Sequence, residues 1–595
     1  MVGAGEVTEL HLPPTRQHLK EEVLETVTTT GQVVPGEVTS SPLVDQPLEV
    51  QEDEAISSLG RTSTVTTLEK PMDMIYGTRC VAPLALRFPL GVNRSALPVG
   101  GRLKHFLKQW KEITSDKWVL DVISKGLSLN FKGSLPPLSS VPKEIHLPKD
   151  PEKRRILLQA VDEMVEKAAV SKCQEMEPAF FAHLFVVPKR TSGWRPVIDL
   201  HVLNRFLAVP HFKMETVHSI RAQLHQGEYV VVLDLQDAYF HIPIRKTFQK
   251  FLKFCILGVV YKFVALCFGL STAPRAFTMV MRAVVKYLRE LGMLIHAYLD
   301  DWLLRNRDPA HLLAQLEKVL QLLNRLGILV NFQKSVLEPR QRFVYLGTKF
   351  DLVRALVFPT EEALGKLQIW LQFFQESNVA PARAFLSFLG LLNHIADLVP
   401  LGRLHVRPVQ WYLKCFYAPS VDHIYKEIPI KEGFRSAIQF WRDQRELLVG
   451  APLHPPRPQV SVFSDASQQG WGVELDNLSL AGRWNSFQAS QHSNIREMMA
   501  MIRGLEGFKE NLKNKVVLLV SDNLTAVSHV QKQGGTHSWI LYCKTLQLFR
   551  LAERMGITLR ARWMPGKELI GANSLSRMDQ IMHAEWSLQY VVCKD

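Results

Sequence analysis

Ten residues, Ile295-His296-Ala297-Tyr298-Leu299-Asp300-Asp301-Trp302-Leu303-Leu304, constrain this chain more than any other stretch. Apolar residues run into two adjacent carboxylates, and apolar residues leave them. The pattern predicts a β-hairpin with Asp300 and Asp301 at its tip. Neighbouring carboxylates near a protein interior repel each other and resist desolvation. A divalent cation removes that cost. Two such cations about 3.5–4 Å apart clamp the attacking and leaving oxygens of a phosphoryl transfer. An Asp-Asp turn is also ordinary loop chemistry. A further carboxylate delivered to the same place would decide between the two readings.

Tyr229-Val230-Val231-Val232-Leu233 supplies a candidate. The run predicts a buried strand, and it ends at Asp234, the kind of strand-end position from which sites in sheet proteins are built. Sixty-six residues separate Asp234 from Asp300, enough for a crossover between strands of one sheet. Between them, Leu266-Cys267-Phe268-Gly269-Leu270-Ser271-Thr272-Ala273-Pro274 predicts a strand-to-helix loop. Gly269 would permit close approach of a ligand to the backbone. Ser271 or Thr272 would cap a helix running to Leu291. Upstream, residues 151–169 predict a helix with proline at its start. Residues 184–199 then predict a hairpin whose turn carries Lys189, Arg190 and Arg195. By itself that turn favours a solvated edge, although a point charge and a planar fork are also what a triphosphate needs.

The chain has 595 residues, room for about three to five domains. Its net charge of +14 is unevenly placed. Residues 1–75 carry 13 acids against 4 bases and read as a disordered acidic tail, which leaves the remainder near +23. A body that basic usually meets a polyanion, most often nucleic acid. Seven cysteines stand singly with no CxxC pair, which excludes a zinc ribbon and a disulfide framework. An intracellular setting, cytoplasm and/or nucleus, is expected. No apolar signal segment is visible at the N-terminus, and the longest apolar run (254–270) is broken by Gly258 and Lys262, so it predicts a buried hairpin and no membrane span. Residues 84–150 form a helical lead-in, with a basic amphipathic helix from Gly101 through Trp110 and a second apolar stretch closed by Gly126. Residues 356–450 predict basic helices with apolar faces such as Leu364, Leu367, Trp370, Leu371 and Phe374. The proline-rich residues 452–458 read as a linker.

Past it, residues 460–465 predict a strand ending at Asp465, followed by antiparallel strands at 470–475 and 480–484. Ser493 would cap a helix with Glu497 in its first turn. Residues 516–522 predict another buried strand, ending at Asp522. Two strand-end aspartates and a helix-start glutamate make a second candidate two-metal cage, against the plainer reading of three surface acids.

Taken in order, these blocks resemble a reverse transcriptase. Over residues 155–351 the matching set is Lys189/Arg195, Asp234 with Asp237-Ala238-Tyr239-Phe240, Phe268-Gly269-Leu270-Ser271 with Pro274, Tyr298-Leu299-Asp300-Asp301, Lys334, and residues 343–347. The resemblance implies an α+β multidomain fold: a right-hand polymerase (fingers and palm over 151–355, thumb or connection over 356–450) followed by a ribonuclease H-like α/β domain over 459–580 and a short tail at 581–595. It assigns Asp234, Asp300 and Asp301 to two Mg²⁺ ions, Lys189 and Arg195 to the incoming triphosphate, and Tyr239 to the sugar, where it would exclude a 2′-hydroxyl. Phe268 and Gly269 would line the same pocket, Lys334 would protonate leaving pyrophosphate, and Tyr345, Leu346 and Gly347 would grip the primer. Cys267 stands where related retroelements carry proline, a change expected to be tolerated.

The second site resembles ribonuclease H, with Asp465, Glu497 and Asp522 as ligands for one or two Mg²⁺; Mn²⁺ is the alternative cation for both sites. Asn573 departs from this pattern, because relatives place aspartate there. It keeps one acceptor oxygen and loses a charge, so nuclease activity is expected to be reduced. Gln533-Gly534-Gly535-Thr536-His537-Ser538, together with the lead-in, resembles DIRS-type retrotransposons, which integrate through a tyrosine recombinase. No recombinase segment is recognisable, so such a partner would be separately encoded. The implied partners are an RNA template, a DNA primer, an RNA–DNA hybrid and dNTPs. The rival reading is an inactive or domesticated nucleic-acid-binding relative, which predicts damaged metal ligands. The polymerase metal ligands are intact; among the ligand positions Asn573 is the one departure. An RNA-templated RNA polymerase is disfavoured by Tyr239 at the sugar position.

Overall fold

The computed structural model describes residues 97–174, 177–188 and 194–577. The acidic tail, Lys189 and the 581–595 tail lie outside the described residues. Helices Leu107–Ile113 and Lys117–Lys125 form the lead-in, the second held by Asp116, whose side chain accepts from Trp118 and Val119. The next helix, Pro151–Glu166, stops short of the expected Ala169, because Ala168 takes a left-handed φ of +51° and turns the chain into a strand.

Nine strands follow: β1 (Val170–Lys172), β2 (His183–Pro188), β3 (Trp194–Asp199), β4 (Tyr229–Asp234), β5 (Lys253–Ile256), β6 (Val259–Phe263), β7 (Leu294–Tyr298), β8 (Asp301–Asn306) and β9 (Val336–Arg340). They make a β2-β3 hairpin, a small β1-β6-β5 sheet, and an antiparallel sheet in the order β7-β8-β4-β9. The first part of the 254–270 run folds as the expected hairpin, β5-β6, and residues 264–270 leave it as a loop. Helices Ala273–Glu290 and Pro309–Arg325 pack on the four-stranded sheet, each burying one apolar face. Thr272 occupies the cap position of the first in a helical conformation (φ −87°, ψ −8°), and neither its hydroxyl nor that of Ser271 makes a cap bond. The expected cap is absent because an extended N-cap backbone is what aims the oxygen at the first-turn N–H groups.

Strands β10 (Arg342–Tyr345), β11 (Thr348–Asp351) and β12 (Leu356–Pro359) follow as a meander. Helices Glu361–Glu376, Ala382–Ala396 and Gly402–Phe416, with a small pair β13 (Val379–Pro381) and β14 (Glu427–Pro429), close around Phe374, Phe385, Phe388 and Phe434. Strand β15 (Ala451–Pro452) then pairs with β12, and Leu453 is buried beside it. The expected linker therefore begins inside a sheet: an edge strand tolerates proline, and Leu453 supplies an apolar anchor.

The last segment is a five-stranded sheet of β16 (Val460–Ala466), β17 (Gly470–Leu475), β18 (Leu478–Arg483), β19 (Val516–Ser521) and β20 (Thr558–Trp563), in the order β18-β17-β16-β19-β20. The β16-β19 and β19-β20 pairs are parallel and the others antiparallel. Helix Ser493–Gly507 packs over Val462 and Val473, while helix Ile570–Arg577 lies over Gly472 on the opposite face. A Cβ on Gly472 would sit 2.5 Å from Ala572 and Leu575, so this residue sets how closely the last helix approaches. His492, rather than Ser493, caps the Ser493–Gly507 helix. Glu497 falls beyond its first turn, where it is buried against the sheet. Among the described residues no helix is long and apolar enough to cross a membrane.

Candidate active sites

Val230, Val231 and Leu233 drive β4 into the core of the four-stranded sheet, and Asp234 ends it. Directly opposite, in the β4-β8 ladder, stands Asp301. Tyr298 pairs with Asp301 across the hairpin, so the tip is the two-residue turn Leu299-Asp300. Leu299 adopts φ +54°, a left-handed conformation that costs a branched residue roughly 1–2 kcal/mol. The buried Trp302 indole donates back to the Leu299 carbonyl at 3.1 Å and holds the turn. The Leu235 N–H donates to the Asp300 carbonyl at 2.9 Å, tying the tip to β4.

The three carboxylates feel one another. Burial pushes Asp301 up to about 6, and Asp300 and Asp234 add repulsion in the same direction. Burial also raises Asp234; Lys334 opposes that rise and Asp300 adds to it. The exposed Lys334 is thus close enough to act on both. Two residues the sequence did not single out fix Asp234: its N–H donates to Ser335 Oγ at 3.0 Å, and the Asn331 side chain bonds its carboxylate.

Beside this cluster, the Tyr239 ring packs on Phe268 at 4.8 Å and on Phe277 at 5.5 Å. The Arg195 guanidinium lies over Phe268 at 4.8 Å. Arg195, Phe268 and Tyr239 therefore form one stack beside Asp300, whose charge helps raise the Tyr239 phenol after burial. The close approach that Gly269 permits is to backbone: at φ +104°, a Cβ there would lie 2.0 Å from the Ile198 carbonyl. Gly269 thereby presses its loop against β3. On the far side, Leu346 (φ +46°) and Gly347 (φ +74°) form the β10-β11 turn, and the buried Tyr345 hydroxyl donates to the Asp301 carbonyl at 2.8 Å.

The second cluster lies where β16 and β19 end. Ligand atoms of Asp465, Glu497 and Asp522 lie within 4.8 Å of one another, and among the described residues no other group of three or more His, Cys, Asp or Glu is that close. Burial lifts Glu497 to about 8, with Asp465 and Asp522 contributing; burial also raises Asp465. Glu497 accepts from the Ala466 N–H and from Ser521 Oγ, both at 3.2 Å. Three crowded carboxylates, two of them buried, are a fitting donor set for a divalent cation. Asn573 lies near Asp522, both flanking Gly566, but its amide N–H₂ donates to the Gly566 carbonyl. The group from the last helix that touches the cluster is Ser576, whose buried hydroxyl donates to Asp465 Oδ2. Its signal in the sequence was its spacing: three residues after Asn573, on the same helical face.

Residues 187–350 match the family described as "Reverse transcriptase (RNA-dependent DNA polymerase)". The chain is 23% identical over 380 residues to the genome polyprotein of Petunia vein clearing virus (isolate Hohn), covering 62% of this chain and 16% of that polyprotein. It is 22% identical over 364 residues to the transposon Tf2-3 polyprotein of Schizosaccharomyces pombe, covering 59% of this chain and 25% of that one. The chain thus spans a quarter or less of the length of these relatives. Among solved structures it is similar to a foamy viral protease–reverse transcriptase dRH in complex with double-stranded DNA, at TM-score 0.47 and 16% identity, covering 78% of this chain and 82% of that one. Residues 187–350 thus carry the match to the reverse transcriptase family, within a chain similar to a viral genome polyprotein and a transposon polyprotein.

Proposed function

We propose that this chain is an RNA-directed DNA polymerase of a retrotransposon, with an attached ribonuclease H-like domain of reduced activity. The observation that carries the reading is the placement of Asp234 opposite Asp301, with Asp300 at the adjoining turn and Lys334 acting on both. In this reading residues 151–355 are fingers and palm, 356–450 thumb or connection, and 459–580 the nuclease, preceded by the lead-in at 84–150. The DIRS-type affiliation and its tyrosine recombinase belong to the same proposal.

Asp234, Asp300 and Asp301 would hold two Mg²⁺ or Mn²⁺ ions; Asp465, Glu497 and Asp522, with Asn573 as a neutral fourth donor, would hold one or two. The raised pKa values of Asp301 and Glu497 are compatible with the fit, since burial first and neighbouring carboxylates second make each ionised form costly, a cost that a bound cation would offset. Bound there, the ions supply Lewis-acid stabilisation of phosphate oxygens. The chain's own groups do the rest. Arg195, with Lys189, would grip the triphosphate by charge and planar fork. The Tyr239 ring, braced by Phe268 and Phe277, would close the pocket against a 2′-hydroxyl. Lys334 would deliver a proton to the departing pyrophosphate. Tyr345, Leu346 and Gly347 would hold the primer end beside β8. RNA template and DNA primer would be held largely through phosphates, so binding should weaken steeply with salt.

The test is primer extension on poly(rA)·oligo(dT) with dTTP and Mg²⁺. Parent protein should extend the primer and Asp300→Ala should not. Equal extension by both would reject the assignment.

A further inference from the structure

Tyr239 sits in a tight loop that begins at the end of β4. Asp237 takes φ +47°, and a 3₁₀ turn, Ala238–His241, follows. Both ends of this loop are pinned to a single residue on a separate segment. The Gln236 N–H donates to the Leu329 carbonyl at 3.0 Å. The Leu329 N–H donates to His241 Nε2 at 3.0 Å. A backbone N–H can only donate, so Nε2 is the acceptor and Nδ1 carries the proton, which faces the Ala238 carbonyl at 3.2 Å. His241 is 1% exposed, and burial lowers its pKa to about 4, so it stays neutral and keeps this tautomer at working pH.

The segment that begins at Leu329 also holds the catalytic candidate itself. Asn331 N–H donates to the Asp234 carbonyl at 2.8 Å, and Ser335 Oγ accepts from the Asp234 N–H. One strip of chain, residues 329–335, therefore sets Asp234 and, through His241, the loop that presents Tyr239. On the outer side the Gly101 N–H donates to the Phe240 carbonyl at 2.7 Å, and Lys167 pairs with Asp237 at 3.1 Å. Those contacts fix where the loop lies. The His241 bond ties the far end of the loop to the strip that also holds Asp234.

We infer that His241 is a positioning residue for sugar selection: its bond to the Leu329 N–H holds the Tyr239 ring at the spacing from Asp234 that separates dNTPs from rNTPs. The inference rests on the polymerase reading and on Tyr239 as the residue that meets the sugar. Nothing in the resemblance or the comparisons gives position 241 a role. An apolar side chain there would leave the Leu329 N–H without its acceptor and free the loop to shift. An ångström-scale misplacement of a substrate-contacting group can cost about 10²-fold. A partial loosening should cost about tenfold in discrimination.

The experiment measures kcat/KM for dGTP and for GTP on poly(rC)·oligo(dG), using parent, His241→Leu, His241→Gln and Tyr239→Ala. Tyr239→Ala reports the loss expected when the sugar contact itself goes. His241→Leu is expected to lose about tenfold of the dGTP/GTP ratio, chiefly through a higher KM for dGTP and a lower one for GTP. His241→Gln, whose side-chain oxygen can accept from Leu329, should recover most of it. A His241→Leu protein that melts lower yet keeps the parent's ratio would overturn the inference, because destabilisation alone does not change which sugar is preferred. Should His241→Leu not be soluble, His241→Gln is read against parent. A ratio between those of parent and Tyr239→Ala supports the role, and a ratio equal to that of Tyr239→Ala overturns it, because an acceptor at 241 would then not suffice. If Tyr239→Ala keeps the parent's ratio, or parent extends no primer, the underlying reading fails and takes the inference with it. That pattern is distinct from one in which only the His241 variants are silent.

Discussion

The Tyr345 hydroxyl donates to the Asp301 carbonyl at 2.8 Å, which ties the β10-β11 turn to the acidic hairpin. The bond is partly buried, and it joins the segment assigned to the primer with a residue assigned to the cations. On the proposed primer role of residues 345–347, alignment of the primer end with the carboxylates would depend partly on one phenol. Tyr345→Phe keeps the ring and its packing and removes the bond. A single hydrogen bond of this kind is worth about 0.5–1.5 kcal/mol. The variant should unfold at a slightly lower denaturant midpoint. Its extension rate should fall severalfold, with KM for dNTP little changed, as single-nucleotide kinetics would show.

Gly269 gives a sharper prediction. A side chain there meets the Ile198 carbonyl and must adopt φ +104°, so Gly269→Ala cannot be accommodated without separating the loop from β3. Arg195 lies on β3 and its partner Phe268 precedes Gly269, so the stack should open. Extension activity should fall by more than tenfold, with a raised KM for dNTP, and stability should drop by roughly 1–3 kcal/mol. Unchanged KM in the folded variant would mean that Arg195 acts elsewhere.

Protons and cations should compete at the second cluster. The Glu497 carboxyl holds its proton to about pH 8 in the folded protein, against an ordinary value of 4.5. The folded state therefore binds the extra proton between those limits. The metal-free protein should lose stability as pH rises from about 4.5 to 8. Added Mg²⁺ should restore more of the melting temperature at pH 8 than at pH 6. Thermal melts of parent and Glu497→Gln at both pH values check this, and Glu497→Gln should flatten the dependence.

Asn573 donates its amide to the Gly566 carbonyl, so Asn573→Asp exchanges a hydrogen bond for repulsion between two oxygens unless a cation intervenes. Without metal the variant should melt below the parent. With Mg²⁺ the order should narrow or reverse, and hybrid cleavage should rise at a lower Mg²⁺ concentration. A metal-independent melting difference would place residue 573 away from any cation.

How much of this was legible in the sequence depended on the range of the interaction. Alternation and apolar runs located β4, β7 and β8, because strand period and turn chemistry are local. The strand-end aspartates Asp234, Asp465 and Asp522 could be seen for the same reason. Helix caps were less readable. Thr272 has the right chemistry at the cap position but the wrong backbone, and His492 caps where Ser493 looked the better candidate. Ser335 and His241 were invisible, since they act on partners 101 and 88 residues away and neither belongs to a local pattern, while Ser576, 111 residues from Asp465, was marked only by its spacing from Asn573. Asn573 was legible as a departure, but where its amide points was not.

The central claim is that Asp234 and Asp300 serve one shared set of cations. A double-mutant cycle on single-turnover extension tests it most directly, with Asp234→Asn, Asp300→Asn and the pair, in Mn²⁺ to keep slow rates measurable. If the two carboxylates act as a unit, the double variant should be about as slow as the slower single variant. Losses that multiply, each substitution costing its full factor in the presence of the other, would contradict the account.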